Sequence, residues 1–252
     1  MGVLNSYNQG KKVLLVDADP QGDLTTALGW TDADNLSVTL ATQMERIIRD
    51  EPYDIHEGIL HHDEGVDLVP TNIELSEMDM TLVNATCREV TLKNYLSGLK
   101  KEYDYILIDC MPSLGMLTIN ALAAADSVII PVQAHYLSLK GMTQLVKTID
   151  RVQRKINPSL KVDGVLLTLA DMRTNLARAT AETLKQNYGR VVKVYKTVIP
   201  VSVKAAETSA AGESIYAYDK NGAAAKAYAN FTGEVMCDGE KERYRHETAL
   251  CR

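Results

Sequence analysis

The chain has 252 residues, enough for one large α/β domain with a substantial core or for two small domains. Its net charge of −6 and its 46% apolar and 24% charged content describe an ordinary globular chain, not one coated uniformly for nucleic acid. No apolar run approaches a membrane span, and the uncharged first ten residues lack the apolar stretch of a secretory signal. The four cysteines are far apart, with no C-x-x-C pair, so reduced thiols in a cytoplasmic protein are expected.

In chain order, apolar runs predict strands over Val13–Asp17, Val66–Pro70, Tyr105–Cys110, Ser127–Val132, Val162–Leu169 and Val191–Ile199. Helices are predicted over Leu40–Arg49, Ile73–Val83, Thr91–Lys101, Leu117–Ala125, Leu137–Ile156, Ala177–Tyr188 and Ala223–Arg245. Strands alternating with helices imply an α/β fold, a three-layer sandwich whose mainly parallel sheet is covered on both faces. No repeat, low-complexity tract or long linker divides the chain. One domain over residues 1–252 is expected, with residues 234–252 as a C-terminal helical tail.

The first strand ends in Val16-Asp17-Ala18-Asp19-Pro20-Gln21-Gly22, an apolar run closing on two alternate carboxylates and a turn. Residues two apart on a strand share a face, although the turn at Pro20 interrupts that rule. Two acids beside a triphosphate would orient water and Mg²⁺ ligands; the alternative is turn formation and helix capping by Asp-Pro. A second aliphatic strand ends on an acid at Tyr105-Ile106-Leu107-Ile108-Asp109-Cys110, the pattern of a carboxylate that holds Mg²⁺ directly or through water. No G-x-x-x-x-G-K-[ST] loop occurs in the chain to cradle phosphates. His56, His61, His62 and Asp63 lack helix-based ligand spacing and read as a polar loop.

Charge is unevenly spread. Residues 173–204 hold seven basic side chains, among them Arg173, Arg178, Lys193, Lys196 and Lys204, and one acid, Glu182. This gives +6 locally against −12 over the other 220 residues. Such a segment is either a solvated helix face or a sequence-independent phosphate-binding patch.

These motifs together resemble the ParA/Soj family of chromosome- and plasmid-partition ATPases, relatives of the MinD-type P-loop proteins. The resemblance runs from about Lys11 to about Thr232, through residues 16–22, Gly65–Leu75, Asp109–Leu122, Ile129–Ala134, Gly164–Thr168 and Val198–Glu207. It implies a P-loop NTPase-like fold, ATP and Mg²⁺ as cofactors, a homodimer in the ATP state, non-specific DNA and a ParB-like centromere-binding protein as partners, and a nucleoid-associated location without membrane anchoring. By position, Asp19 matches the acid that orients the attacking water, Asp17 its neighbour near the metal, and Asp109 the acid that organises Mg²⁺. Thr168, Ile199 and Pro200 fall where relatives approach the adenine, and Lys204 falls on a basic residue used for DNA.

Three departures stand out. Val201 replaces the usual Arg after Ile-Pro, Asp23 adds a charge after Gln-Gly, and the first strand with its Walker A loop is not found. The resemblance makes Met1–Gly10 the latter part of the helix that follows that loop, and places the lost strand inside the sheet, beside the strand of Asp109. The expectations are an open reading frame begun at an internal Met, and no ATP hydrolysis by the chain as it stands. The alternative is a nucleotide-independent DNA-binding or regulatory paralogue.

Overall fold

The computed structural model describes residues 10–134, 136–189 and 191–250; of residues 136–140 and 238–250 only the backbone is described. The helix expected over Met1–Gly10, Gly10 apart, and Arg190 of the basic segment lie outside the described residues.

Strand β1 (Val13–Ala18) opens the described fold, followed by the short helix α1 (Asp23–Ala27), a 3₁₀ turn (Ala33–Asn35) and helix α2 (Leu40–Ile48). Then come β2 (Leu60–His61), β3 (Asp67–Val69), α3 (Leu75–Asn84), α4 (Thr91–Leu99), β4 (Tyr105–Cys110) and α5 (Met116–Ala124). The second half runs β5 (Ser127–Gln133), α6 (Tyr136–Lys155), β6 (Lys161–Thr168), α7 (Asn175–Tyr188), β7 (Val194–Val198), α8 (Val203–Ala211), α9 (Ile215–Tyr218) and α10 (Ala223–Leu250).

Period-two alternation explains the layers. On β1, Leu14, Val16 and Ala18 pack against Leu40 and Met44 of α2, Leu75 of α3, Leu92 and Leu96 of α4, and Leu117 of α5. Val13 and Leu15 face the other way, onto Leu68, Leu24, Leu28 and Trp30. The second sheet repeats the design. Ile130, Val132 and Val165 meet Met142, Ile149 and Leu184 on one face, while Leu166 and Tyr195 meet Tyr228 and Phe231 of α10 on the other. Helix starts carry side-chain caps where the chain turns: a Thr39/Thr42 capping box at α2, Thr174 at α7, Ser202 at α8 and Ser214 at α9.

Three features depart from the expected layout. The strands form two sheets, in the orders β2-β3-β1-β4 and β5-β6-β7, parallel except for β2. Among the described residues no ladder joins β4 to β5, and that break is where the resemblance sets a further strand. β7 begins at Val194, because Val191 N and Val192 N both donate to the Tyr188 carbonyl and close α7 with a turn. Finally, α1, α8, α9 and β2 were not predicted. They are short, and α8 exposes Val203 on a helix with little apolar periodicity.

Candidate functional site

The carboxyl ends of β1 and β4 form the centre of the site, the rim where ligands bind in open parallel sheets. The two strands pair in register from Val13↔Tyr105 to Ala18↔Cys110, which sets Asp17 beside Asp109. Alternation sends both acids to the face of Val13, Leu15 and Tyr105.

Asp17 is fully buried. Its Oδ2 accepts from Thr25 N at 2.8 Å and Thr25 Oγ1 at 2.7 Å, and its Oδ1 accepts from Asp19 N at 3.3 Å. Thr25 Oγ1 in turn accepts from Thr71 N at 3.2 Å, so the carboxylate ties β1, α1 and the end of β3 into one buried network. Burial raises the Asp17 pKa; the Thr25 hydrogen bonds oppose that rise, and nearby Asp109 adds to it.

Asp19 leaves the strand. Its Oδ1 accepts from Gln21 N at 3.0 Å and its carbonyl from Gly22 N at 2.9 Å, so the Asp-Pro-Gln-Gly run is a tight turn. Gly22 holds φ 65° just ahead of α1, and a Cβ there would lie 3.4 Å from the Thr71 carbonyl. Glycine is favoured here by the left-handed conformation, since a Cβ at this distance would make only ordinary contact.

Asp109 is surface-accessible, and its hydrogen-bond partner among the described residues is the Cys110 backbone N–H. Loss of solvent around the carboxyl raises its pKa, and the acids Asp19 and Asp23 raise it further. Loss of solvent around the sulfur, with Asp109 and Asp19 adding to it, pushes the neighbouring Cys110 thiol up to about 12.

The carboxylates fit Mg²⁺ as contributors to a shared shell, not as a cage. Both Asp17 oxygens are engaged, Asp109 has lone pairs to offer, and no group of three or more His, Cys, Asp or Glu side chains among the described residues could hold a metal. An ion held by one or two carboxylates, with phosphate oxygens and water completing its octahedron, suits this donor set.

The residues assigned to the adenine come together on the other sheet. Thr168 ends β6 opposite Gln133, Ile199 N donates to the Leu167 carbonyl at 2.9 Å, and Ala170 N donates to the Ile199 carbonyl at 3.1 Å. The Ile199 side chain is buried with Leu166 and Tyr195, which leaves backbone, Thr168 and Pro200 at the rim.

The basic segment is dispersed. Arg173, Arg178, Lys193, Lys196 and Lys204 are all exposed, but they differ in their partners. Arg173 forks onto Asp171 through two 2.9 Å hydrogen bonds and holds that carboxyl down to about 2. Lys204 pairs with Asp219 at 3.3 Å, and Arg178 donates to Asn175 Oδ1 at 2.8 Å. Lys193 lies 4.1 Å over the Tyr195 ring. Residues that sequence reasoning did not single out are Thr25 and Thr71, which lock Asp17, and Glu234, which reaches the backbone of Lys196. A hydroxyl eight residues after an acid and a carboxylate 38 residues after a lysine leave no local signal.

Known proteins resemble this chain in sequence and in fold. Residues 4–162 match the family model described as an AAA domain. The sporulation initiation inhibitor protein Soj of Bacillus subtilis is 43% identical over 234 residues, which cover 91% of this chain and 88% of the relative. The chromosome partitioning protein ParA of Myxococcus xanthus is 39% identical over 228 residues, 90% of this chain and 77% of the relative. Among solved structures, cobyrinic acid a,c-diamide synthase from Mycobacterium smegmatis with bound ADP and magnesium superposes with a TM-score of 0.78 at 35% identity. That match covers 92% of this chain and 84% of the synthase.

Proposed function

The chain belongs to the ParA/Soj family of chromosome and plasmid partition ATPases, and from that premise we propose how its residues share the work of DNA segregation. The observation that carries the reading is the register pair Asp17↔Asp109, which sets a locked and an available carboxylate side by side at the sheet's carboxyl rim. Asp109 would hold Mg²⁺ directly or through a water, and Asp19 would orient the attacking water. Asp17 would fix the loop that carries Asp19, and Thr168 with the Ile199-Pro200 turn would receive the adenine. Mg·ATP, when bound, supplies the phosphoanhydride whose cleavage ends the ATP state, in which the family is expected to be a homodimer on DNA.

Lys193 and Lys196, joined by Arg178 and by Arg173 and Lys204 as they exchange their aspartates for phosphates, would meet the DNA backbone without reading bases. A ParB-like centromere-binding protein is the partner expected to trigger release, and the nucleoid is the expected location. Among the described residues no helix is long and apolar enough to cross a membrane. Residues 1–252 alone are proposed not to turn over ATP, since no lysine-bearing glycine loop is available to the β- and γ-phosphates.

The test pairs two assays on the purified chain. Binding to a random-sequence duplex should fall steeply with salt and weaken at least about a hundredfold on combined charge reversal of Lys193, Lys196 and Lys204. Binding that survives the reversal would refute the DNA assignment. Mg²⁺-dependent phosphate release from ATP would refute the proposed lack of turnover, and its loss in Asp109→Asn would then support the metal assignment. DNA binding indifferent to Mg·ATP would favour the nucleotide-independent reading.

A further inference from the structure

β6 and β7 pair in parallel, yet Val165 and Leu167 of β6 sit opposite Val194 and Val198 of β7. The register slips between these pairs, so β7 carries surplus residues at 195–197, a bulge that lifts part of the strand out of the ladder. Two successive amides in this bulge point at one carboxylate. Lys196 N donates to Glu234 Oε1 at 3.2 Å, and Thr197 N donates to Glu234 Oε2 at 3.0 Å.

The carboxylate comes from α10, which grips the bulge a second time. Phe231 meets Tyr195 edge to face, with ring centroids 4.9 Å apart, and the Lys193 ammonium lies over the Tyr195 ring, 4.1 Å from its centroid. Partial burial works against the charge on Glu234. Hydrogen bonds from Thr197 and Lys196, with the nearby charge of Lys193, outweigh it and hold the carboxyl below its usual range.

Burial does not demand this arrangement. β7 is an edge strand of its sheet, and an edge strand needs no anion to end a sheet. Successive backbone N–H groups converging on one anion between two lysines are instead the components of a phosphate-binding concavity. A carboxylate and a phosphodiester offer it the same two-oxygen anionic edge.

We propose that the bulge of β7 is a phosphate-binding nest closed by Glu234, and that a phosphate of the DNA backbone displaces this carboxylate to bind the amides of Lys196 and Thr197. The inference rests on the DNA reading above and deepens it. Glu234 competes with DNA for the nest and so lowers the affinity of the resting chain.

The test measures binding of the full chain to a random-sequence duplex across a salt series, for the wild type, Glu234→Gln, Lys196→Glu and the double variant. Glu234→Gln keeps one acceptor oxygen and loses the charge. It should tighten binding about tenfold at low salt and steepen the salt dependence by about one ion, gains that Lys196→Glu abolishes. In the wild type, the amide resonances of Lys196 and Thr197 should shift on titration with the duplex and not with inorganic phosphate at the same concentration. Unchanged or weaker binding by Glu234→Gln, with Lys196→Glu still harmful, overturns the competing carboxylate and leaves the DNA reading standing. Equal shifts with inorganic phosphate assign the nest to a free anion and overturn its DNA ligand. A Lys196→Glu variant that binds like the wild type removes DNA from β7 altogether.

Discussion

β1 and β4 are neighbouring strands of six residues, paired residue for residue, and each places an aspartate next to last. Val-Leu-Leu-Val-Asp-Ala and Tyr-Ile-Leu-Ile-Asp-Cys differ little in apolar character, yet the strands live differently. β1 lies between β3 and β4 and is buried along its whole length. β4 has β1 on one side and no ladder on the other among the described residues; none of its residues is fully buried, and Leu107 is exposed. Position in the sheet, not composition, decides what the terminal acid does. Asp17 in the interior becomes a structural knot, whereas Asp109 at the open side keeps its oxygens for something else.

The sharpest way to break this comparison is to remove each acid in turn. Asp17→Ala leaves the Thr25 amide and the Thr25 hydroxyl buried without their acceptor and should cost about 3 kcal/mol in urea unfolding. Asp109→Ala strands no donor but the Cys110 amide and should stay within about 0.5 kcal/mol of the wild type. Equal losses in the two variants would abolish the division between a structural and an available carboxylate.

Amide exchange reads the same contrast in the native chain. β1 amides are paired and buried on both edges, so they should open only with the global transition. The β4 amides that point away from β1 should exchange through openings about 2 kcal/mol easier. Uniform protection along β4 would mean that another segment of the chain covers its second edge in solution.

A smaller perturbation isolates the knot itself. Thr25→Val keeps shape but removes the hydroxyl that donates to Asp17 and accepts from Thr71 N, and should cost about 1–2 kcal/mol. Combined with Asp17→Ala it should add much less than its single value, because both changes cut one network.

Much of this was legible beforehand. The strand Tyr105–Cys110 has the bounds read from its apolar run, and the seven predicted helices, from α2 to α7 and α10, start within two residues of their expected positions, because strong periodicity and caps act locally. The two acid-tipped strands are present, with Asp17 and Asp109 next to last in β1 and β4. Sequence could not say that Asp17 and Asp109 share a register, since pairing is non-local, whereas the turn that takes Asp19 off the strand was signalled by Pro20. The same limit applies to the basic segment. Its +6 is a property of the chain, but Asp171 and Asp219 fold back on Arg173 and Lys204, a pairing that the charge count does not show. The division of the strands into two sheets is likewise a property of the fold, visible only once ladders are assigned.

The smallest expected effect tests the electrostatics of Asp109 through pH. Its folded pKa is raised, first by desolvation and then by Asp19 and Asp23, so the native chain binds a proton in a range where the unfolded chain has released it. Native protons in excess make stability fall as pH rises through that range. The group costs nothing below the ordinary carboxylate value of 3.8, and its full penalty is present above the raised value. Asp109→Asn removes the titration while keeping the shape. The variant should therefore match the wild type at pH 3.5, gain on it as pH rises through the window, and hold a constant small advantage at pH 7. Urea midpoints measured across this span decide the matter. A wild type that outlasts the variant at pH 7 would show that the charged form of Asp109 is held by a partner in the folded chain, and the contrast with Asp17 would then be one of degree.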